Sequence, residues 1–94
     1  MKLSVESAIK TAINYLKTIK TQISPDLEDI RLEEVEVSED DRYWLITLSF
    51  TQPNDRTENP LPGIITKPKY QRNYKIFRIN SNTGQVESMK IRML

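Results

Sequence analysis

The side chains in this sequence that could do chemistry are mostly carboxylates. Glu33 stands beside Glu34, and Glu39-Asp40-Asp41 form a run of three. Two carboxyls can act as general acid and base when a cleft holds them about 5–10 Å apart in different surroundings. Neighbours on a strand point to opposite faces, and neighbours in a polar turn are solvated. Glu39–Asp41 therefore reads as a solvated turn, with weak calcium binding as the alternative. The sequence contains no His and no Cys. That removes the commonest general base, the thiolate nucleophile, disulfides and the usual transition-metal ligands. Two glycines cannot build a phosphate-cradling loop. Asn80-Ser81-Asn82-Thr83-Gly84 has no carboxylate and no Glu at calcium-loop spacing, so it reads as a turn. The expectation is a protein that is not an enzyme, with no catalytic residue, no cofactor and no metal.

The elements that would carry these residues follow from periodicity. Val5, Ala8, Ile9, Ala12, Ile13, Leu16, Ile19 and Ile23 recur at spacings of three and four, the stripe of an amphipathic helix. Ser4 suits the N-cap, Glu6 the positive end of the dipole, and Lys17 and Lys20 the negative end. Ser24-Pro25 stops the chain from continuing as helix, so the helix is expected over about 5–23. Ile30–Val37 alternates as a strand, but the phase slips by one at Glu33-Glu34. Such a slip means a bulge or a change of buried face. Tyr43–Phe50 is the strongest strand, with Trp44, Ile46, Leu48 and Phe50 on one face. Trp44 thus reads as a core residue. Tyr70–Ile79 and Val86–Met93 complete the set, joined by a short loop in which Gly84 supplies a positive φ. Met89, Ile91 and Met93 share a face of the last strand.

Ninety-four residues make one domain, expected over 1–94. A lone amphipathic helix can bury its stripe only against a sheet. The expected fold is α+β, with one N-terminal helix packed across a four-stranded antiparallel meander. Between the second and third strands, 51–69 reads as a long loop holding Pro53, Pro60, Pro62 and Pro68. Loops of that length are usually functional or disordered.

The run Tyr74-Lys75-Ile76-Phe77-Arg78-Ile79-Asn80-Ser81-Asn82-Thr83-Gly84-Gln85-Val86 resembles the closing hairpin of PepSY-type domains. The helix opened by Ala8-Ile9 and the strand pair Ile30–Val37 and Tyr43–Phe50 fit the same pattern. The resemblance implies a cystatin-like roll. It also implies a binding or inhibitory role, often linked to peptidases, without chemistry of its own.

Charged residues make up 29% of the chain and leave a net +1. Their distribution says more than their sum. From Asp26 to Asp41 acids outnumber bases, with Arg31 the lone base. From Lys67 onward Lys67, Lys69, Arg72, Lys75, Arg78, Lys90 and Arg92 face Glu87 alone. A meander would place these groups at opposite sides of the sheet. Charged edges discourage aggregation, and complementary fields also steer partners. Tyr70 and Tyr74 beside the basic flank raise single-stranded nucleic acid as a ligand, but the acidic strand would repel its backbone.

In the loop, Asn59-Pro60-Leu61-Pro62-Gly63-Ile64-Ile65 places three aliphatics among prolines. They either cap the sheet or form an exposed anchor on a stiffened backbone. The leading expectation is a small protein-binding module, whether inhibitor, immunity or accessory protein. Its contacts would be Leu61, Ile64, Ile65, Lys67, Lys69, Tyr70 and Arg72, on the 51–72 segment and basic flank. The alternative is a structural subunit of a homo-oligomer, such as a homodimer, assembling through the open sheet face. Tyr43, Leu45, Tyr74 and Ile76 lie on that face and should be covered, by the loop or by a second copy. No apolar run reaches the ~20 residues that span a bilayer, and Met1-Lys2-Leu3 leads into the amphipathic segment, so a cytoplasmic location without membrane attachment is expected.

Overall fold

Ser4 starts the helix as expected. Its hydroxyl accepts from the Ser7 backbone N–H at 3.1 Å, filling one of the orphan donors of the first turn. Helix α1 then runs over Val5–Ile23, with Glu6 in its first turn and Lys20 in its last. The computed structural model describes residues 3–23, 26–53 and 70–92. Four strands follow the helix: β1 (Glu28–Val37), β2 (Tyr43–Pro53), β3 (Tyr70–Asn80) and β4 (Val86–Ile91). They form one antiparallel sheet in the order β1-β2-β3-β4. The chain is thus an α+β protein in which one helix lies on a four-stranded meander.

The stripe read from the helix is the side that packs. Ala8, Ala12 and Leu16 are fully buried against Ile46, Leu48, Phe50, Phe77 and Ile79. Ile9, Ile13 and Ile23 are half-buried against the same cluster, with Trp44, Val35, Val86 and Met89. Val5, at the start of the stripe, is exposed. The small residues Ala8 and Ala12 let the helix approach the sheet closely, and Leu16 fills the space beside Phe77 and Phe50. The edge of Tyr15 also meets the Phe77 ring, with centroids 6.1 Å apart. The N-terminus is tied down by main-chain and indole bonds. Leu3 donates its N–H to Ser81 at 2.9 Å, and its carbonyl accepts from the Trp44 indole N–H at 2.9 Å.

Several boundaries differ from those expected. β2 does not end at Phe50. Thr51, Gln52 and Pro53 continue it, paired with Arg72, Gln71 and Tyr70. Proline is tolerated there because it is the last residue of the strand and ends the ladder. β1 starts earlier, at Glu28, and its second residue, Asp29, is in the left-handed region with φ 53°. β4 ends at Ile91, so Arg92 stands beyond it, donating its N–H to Tyr74 at 3.0 Å.

The strand slip is a bulge. Leu32 pairs with Leu48 and Glu34 with Thr47, which leaves Glu33 as the extra residue. Leu32, Val35 and Val37 therefore share the helix side, while Arg31, Glu34 and Glu36 share the other. The register shifts again between Glu28 and Arg31 in β1, and between Arg78 and Ile79 in β3, where Glu87 is the extra residue of β4. The turn between β1 and β2 is held by Asp40, which accepts from the Ser38 hydroxyl at 2.7 Å and the Arg42 N–H at 3.2 Å. Those bonds, with the nearby Arg42 charge, hold the Asp40 carboxyl below its ordinary value. In the β3–β4 loop Gly84 has φ 74°, the conformation expected of it.

Candidate functional site

The side of the sheet away from α1 is built in rows, because directly paired residues share a face. One row is Glu36, Leu45, Arg78 and Ser88; the next is Glu34, Thr47, Ile76 and Lys90. Arg31, Ser49, Tyr74 and Arg92 form the third. Acids thus gather on β1 and bases on β3 and β4, as the charge distribution implied. The row assignment corrects one member of the flank: Lys75 pairs with Leu48 and Ile91, so it lies on the helix side.

Two arginines lie across part of this face. Arg72 donates to the Ser49 hydroxyl at 2.7 Å and forms an ion pair with Asp29. It also reaches the Asp29 carbonyl at 3.3 Å. Arg92 donates to the Thr47 hydroxyl at 3.0 Å and pairs with Glu34 at 2.6 Å. The stems of these arginines cover the small residues of the central strand. Ser49 is fully buried and Thr47 only 2% exposed, although neither faces the helix.

A bulge leaves its carboxylates in solvent unless a partner reaches them; Glu33 is exposed and accepts from the Ser49 hydroxyl at 2.6 Å, whereas Glu34 is half-buried in its pair with Arg92. A strand bulge turns both side chains toward the same face, where hydroxyls and guanidinium groups can reach them. Ser49 between Glu33 and Arg72 has the outline of a hydroxyl beside a base. It lies beneath those two side chains with no exposed surface, so no substrate atom can approach it. The arrangement is a closed hydrogen-bond chain that satisfies a buried hydroxyl.

Electrostatics separate the acids of β1 further. Desolvation opposes ionisation of Asp29, but hydrogen bonds and charge from Arg31 and Arg72 outweigh it and lower its pKa. Glu34 is lowered by a hydrogen bond with Glu36 and by the Arg92 charge. Glu36 bears the cost: the same hydrogen bond, and then the Glu34 charge, raise it.

The remaining half of the face is uncovered by these straps. It comprises Tyr43, Leu45, Ile76, Arg78, Ser88 and Lys90, with Glu36 at its β1 border. The Arg78 guanidinium lies 3.8 Å from the centre of the Tyr43 ring. Tyr43, Arg78, Glu87, Ser88 and Lys90 line a shallow cavity of about 260 Å³. A larger groove of about 470 Å³ runs between α1 and the start of β4, past Thr11, Asn14, Tyr15 and Gly84. No charged side chain lines that groove, so the ionic features lie on the sheet face.

Of the expected contact residues, Leu61, Ile64, Ile65, Lys67 and Lys69 lie outside the described residues. Tyr70 opens β3 opposite Pro53. Arg72 is placed on the sheet face but engaged within the chain, its side chain 22% exposed. Tyr43, Glu36, Arg78 and Lys90 were not singled out as a group beforehand. The signal that could have found them is their alternation on strands paired two and three apart, which needs the register.

Among the described residues, no group of three or more potential ligands is placed to hold a metal ion. Nor is any helix there long and apolar enough to cross a membrane. Fold and face together define a class: a small helix-on-meander protein with a charged, partly strapped outer sheet surface. No family model, curated protein or solved structure matches the chain.

Proposed function

We propose that this chain is a small non-catalytic protein-binding module of the inhibitor, immunity or accessory kind. Its working surface is the unstrapped half of the sheet face, on the basic flank. One observation carries this reading. Arg78 and Lys90 flank a solvent-open cavity on the sheet face, while Arg72 and Arg92 are already paired within the chain. Arg78 over the Tyr43 ring and Lys90 beside it, neither in an ion pair among the described residues, suit a carboxylate offered by a partner, with the aliphatic Leu45 and Ile76 on the same face. The resemblance to PepSY-type and cystatin-like domains agrees with a binding role. The buried state of Ser49 and the lack of His and Cys agree with the absence of chemistry.

The test is zero-length carbodiimide crosslinking of the tagged chain in its own cell extract, followed by peptide mass spectrometry. The expected result is a crosslink from Lys90 to a carboxylate of a defined protein, lost in the Arg78→Glu variant, which keeps the Lys90 amine. Crosslinks spread evenly over all lysines, and unchanged in the variant, would overturn the reading.

A further inference from the structure

We infer that the unstrapped face takes a second copy of this chain, in a face-to-face dimer whose two-fold axis runs parallel to the strands between β2 and β3. The inference rests on the binding reading of that face and names its partner.

The rows of the sheet carry the argument. Glu36, Leu45, Arg78 and Ser88 stand side by side in strand order. A two-fold axis parallel to the strands reverses strand order without moving residues along the strands. It therefore sets Glu36 of one copy over Ser88 of the other. Ser88 lines the shallow cavity of this face with Tyr43, Arg78, Lys90 and Glu87, so two cations there outnumber one acid. Stacked sheets lie about 10 Å apart, a gap that a glutamate and a lysine or arginine together span. Each copy thus inserts one carboxylate between two cations of the other, twice over, as an isologous interface requires. The same operation sets Leu45 over Arg78 of the other copy and Ile76 over its Thr47, so near the axis the aliphatic side chains meet the stem of a cation and a threonine methyl. An axis across the strands would instead set β1 over β1, acid against acid.

Charge on the face points the same way. Glu34 is held by Arg92 and Glu33 by Ser49, whereas Glu36 makes no ion pair among the described residues. Crowded by the Glu34 carboxylate, it is the β1 acid of this face that a cation from another molecule would relieve. A partner uniformly acidic enough to prefer Arg78 and Lys90 would be repelled by Glu36, but a second copy brings both signs in the matching places. The free edges offer a poorer route. β1 is interrupted by Asp29 and the Glu33 bulge, and β4 is short and bulged at Glu87. Both are devices that resist edge pairing. A face of six residues falls short of the roughly twenty to thirty a side of a standard interface, about 800 Å² per partner. The dimer is therefore weak and concentration-dependent.

Sedimentation equilibrium on the full chain tests this with two variants. Glu36→Lys alone and Arg78→Glu/Lys90→Glu alone should each weaken self-association by at least about tenfold, since each puts like charges in contact. An equimolar mixture of the two should recover a dimer, because every contact is then between opposite charges. Unaltered circular dichroism and melting of each variant exclude loss of the fold. A wild-type chain that stays monomeric at millimolar concentration, or variants that dimerise like wild type, would overturn the proposal. So would a mixture that fails to recover. A monomer that still gives the Lys90 crosslink to another protein would sink the dimer and leave the binding module standing. A monomer without that crosslink would sink both.

Discussion

Glu34 on β1 and Arg92 just past β4 meet at 2.6 Å, across the two strands that lie between them. The pair joins the first and last strands over the outer face and leaves the Thr47 hydroxyl beneath it, 3.0 Å from Arg92. It is a strap, and its aliphatic stem does as much covering as its charge does pairing. Arg92→Met should therefore retain most of the melting temperature, whereas Arg92→Ala should lower it clearly. Thermal melts of the two variants side by side check this. Equal losses would mean that the charge alone matters.

Leu16 measures how firmly the helix is seated. It is fully buried amid the sheet residues Ile46, Leu48, Phe50 and Phe77. Leu16→Ala should cost about 2–4 kcal/mol, the transfer and cavity terms together. Urea unfolding gives the value, and a loss below about 1 kcal/mol would mean that the site collapses without a cavity.

Gly84 separates backbone strain from crowding. Its φ is 74°, but a Cβ added there would find its nearest atom, Leu3 Cδ1, at an ordinary 3.9 Å. Gly84→Ala should therefore cost only the left-handed backbone term, about 1–2 kcal/mol. Gly84→Asn should cost less, because Asn tolerates that region. Equal losses for both, measured by chemical denaturation, would point to side-chain contacts instead.

Two carboxylates give opposite pH signatures. The Asp29 pKa is lowered in the folded state, so its stabilising contribution is complete above its unfolded value. That contribution is lost as the pH falls through the lower folded value. The Glu36 pKa is raised, so ionisation opposes folding as the pH rises through its folded value. Asp29→Asn should flatten the loss of stability on acidification below about pH 4. Glu36→Gln should raise stability at neutral pH. Urea midpoints across that range decide both, and a Glu36→Gln protein less stable at neutral pH would contradict the assignment.

Much of the frame was legible from local patterns. The helix stripe, its Ser4 cap, the Trp44–Phe50 face and the Gly84 turn each depend on residues within a few positions of one another. The slip at Glu33 was legible too, because a bulge shows as a broken period of two. The destinations of the carboxylates were not. Glu34 reaches a partner near the other end of the chain, and Glu33 a hydroxyl on the neighbouring strand. Neither contact exists until the register is set. The positive φ of Asp29 was also hidden. It follows from the pairing of Glu28 with Thr51, which depends on β2 running on past Phe50. The cluster of Glu36, Tyr43, Arg78 and Lys90 comes from four strands, and only their order brings it together.

The central claim is that the unstrapped half of the sheet face is where this protein meets its partner, a second copy of itself. Amide chemical shifts followed through a dilution series test it residue by residue. The account predicts concentration-dependent shifts at Glu36, Leu45, Ile76, Arg78, Ser88 and Lys90, with Ala8, Ala12 and Leu16 unmoved. Shifts confined to the helix or the strand edges, or none at any concentration, would contradict it.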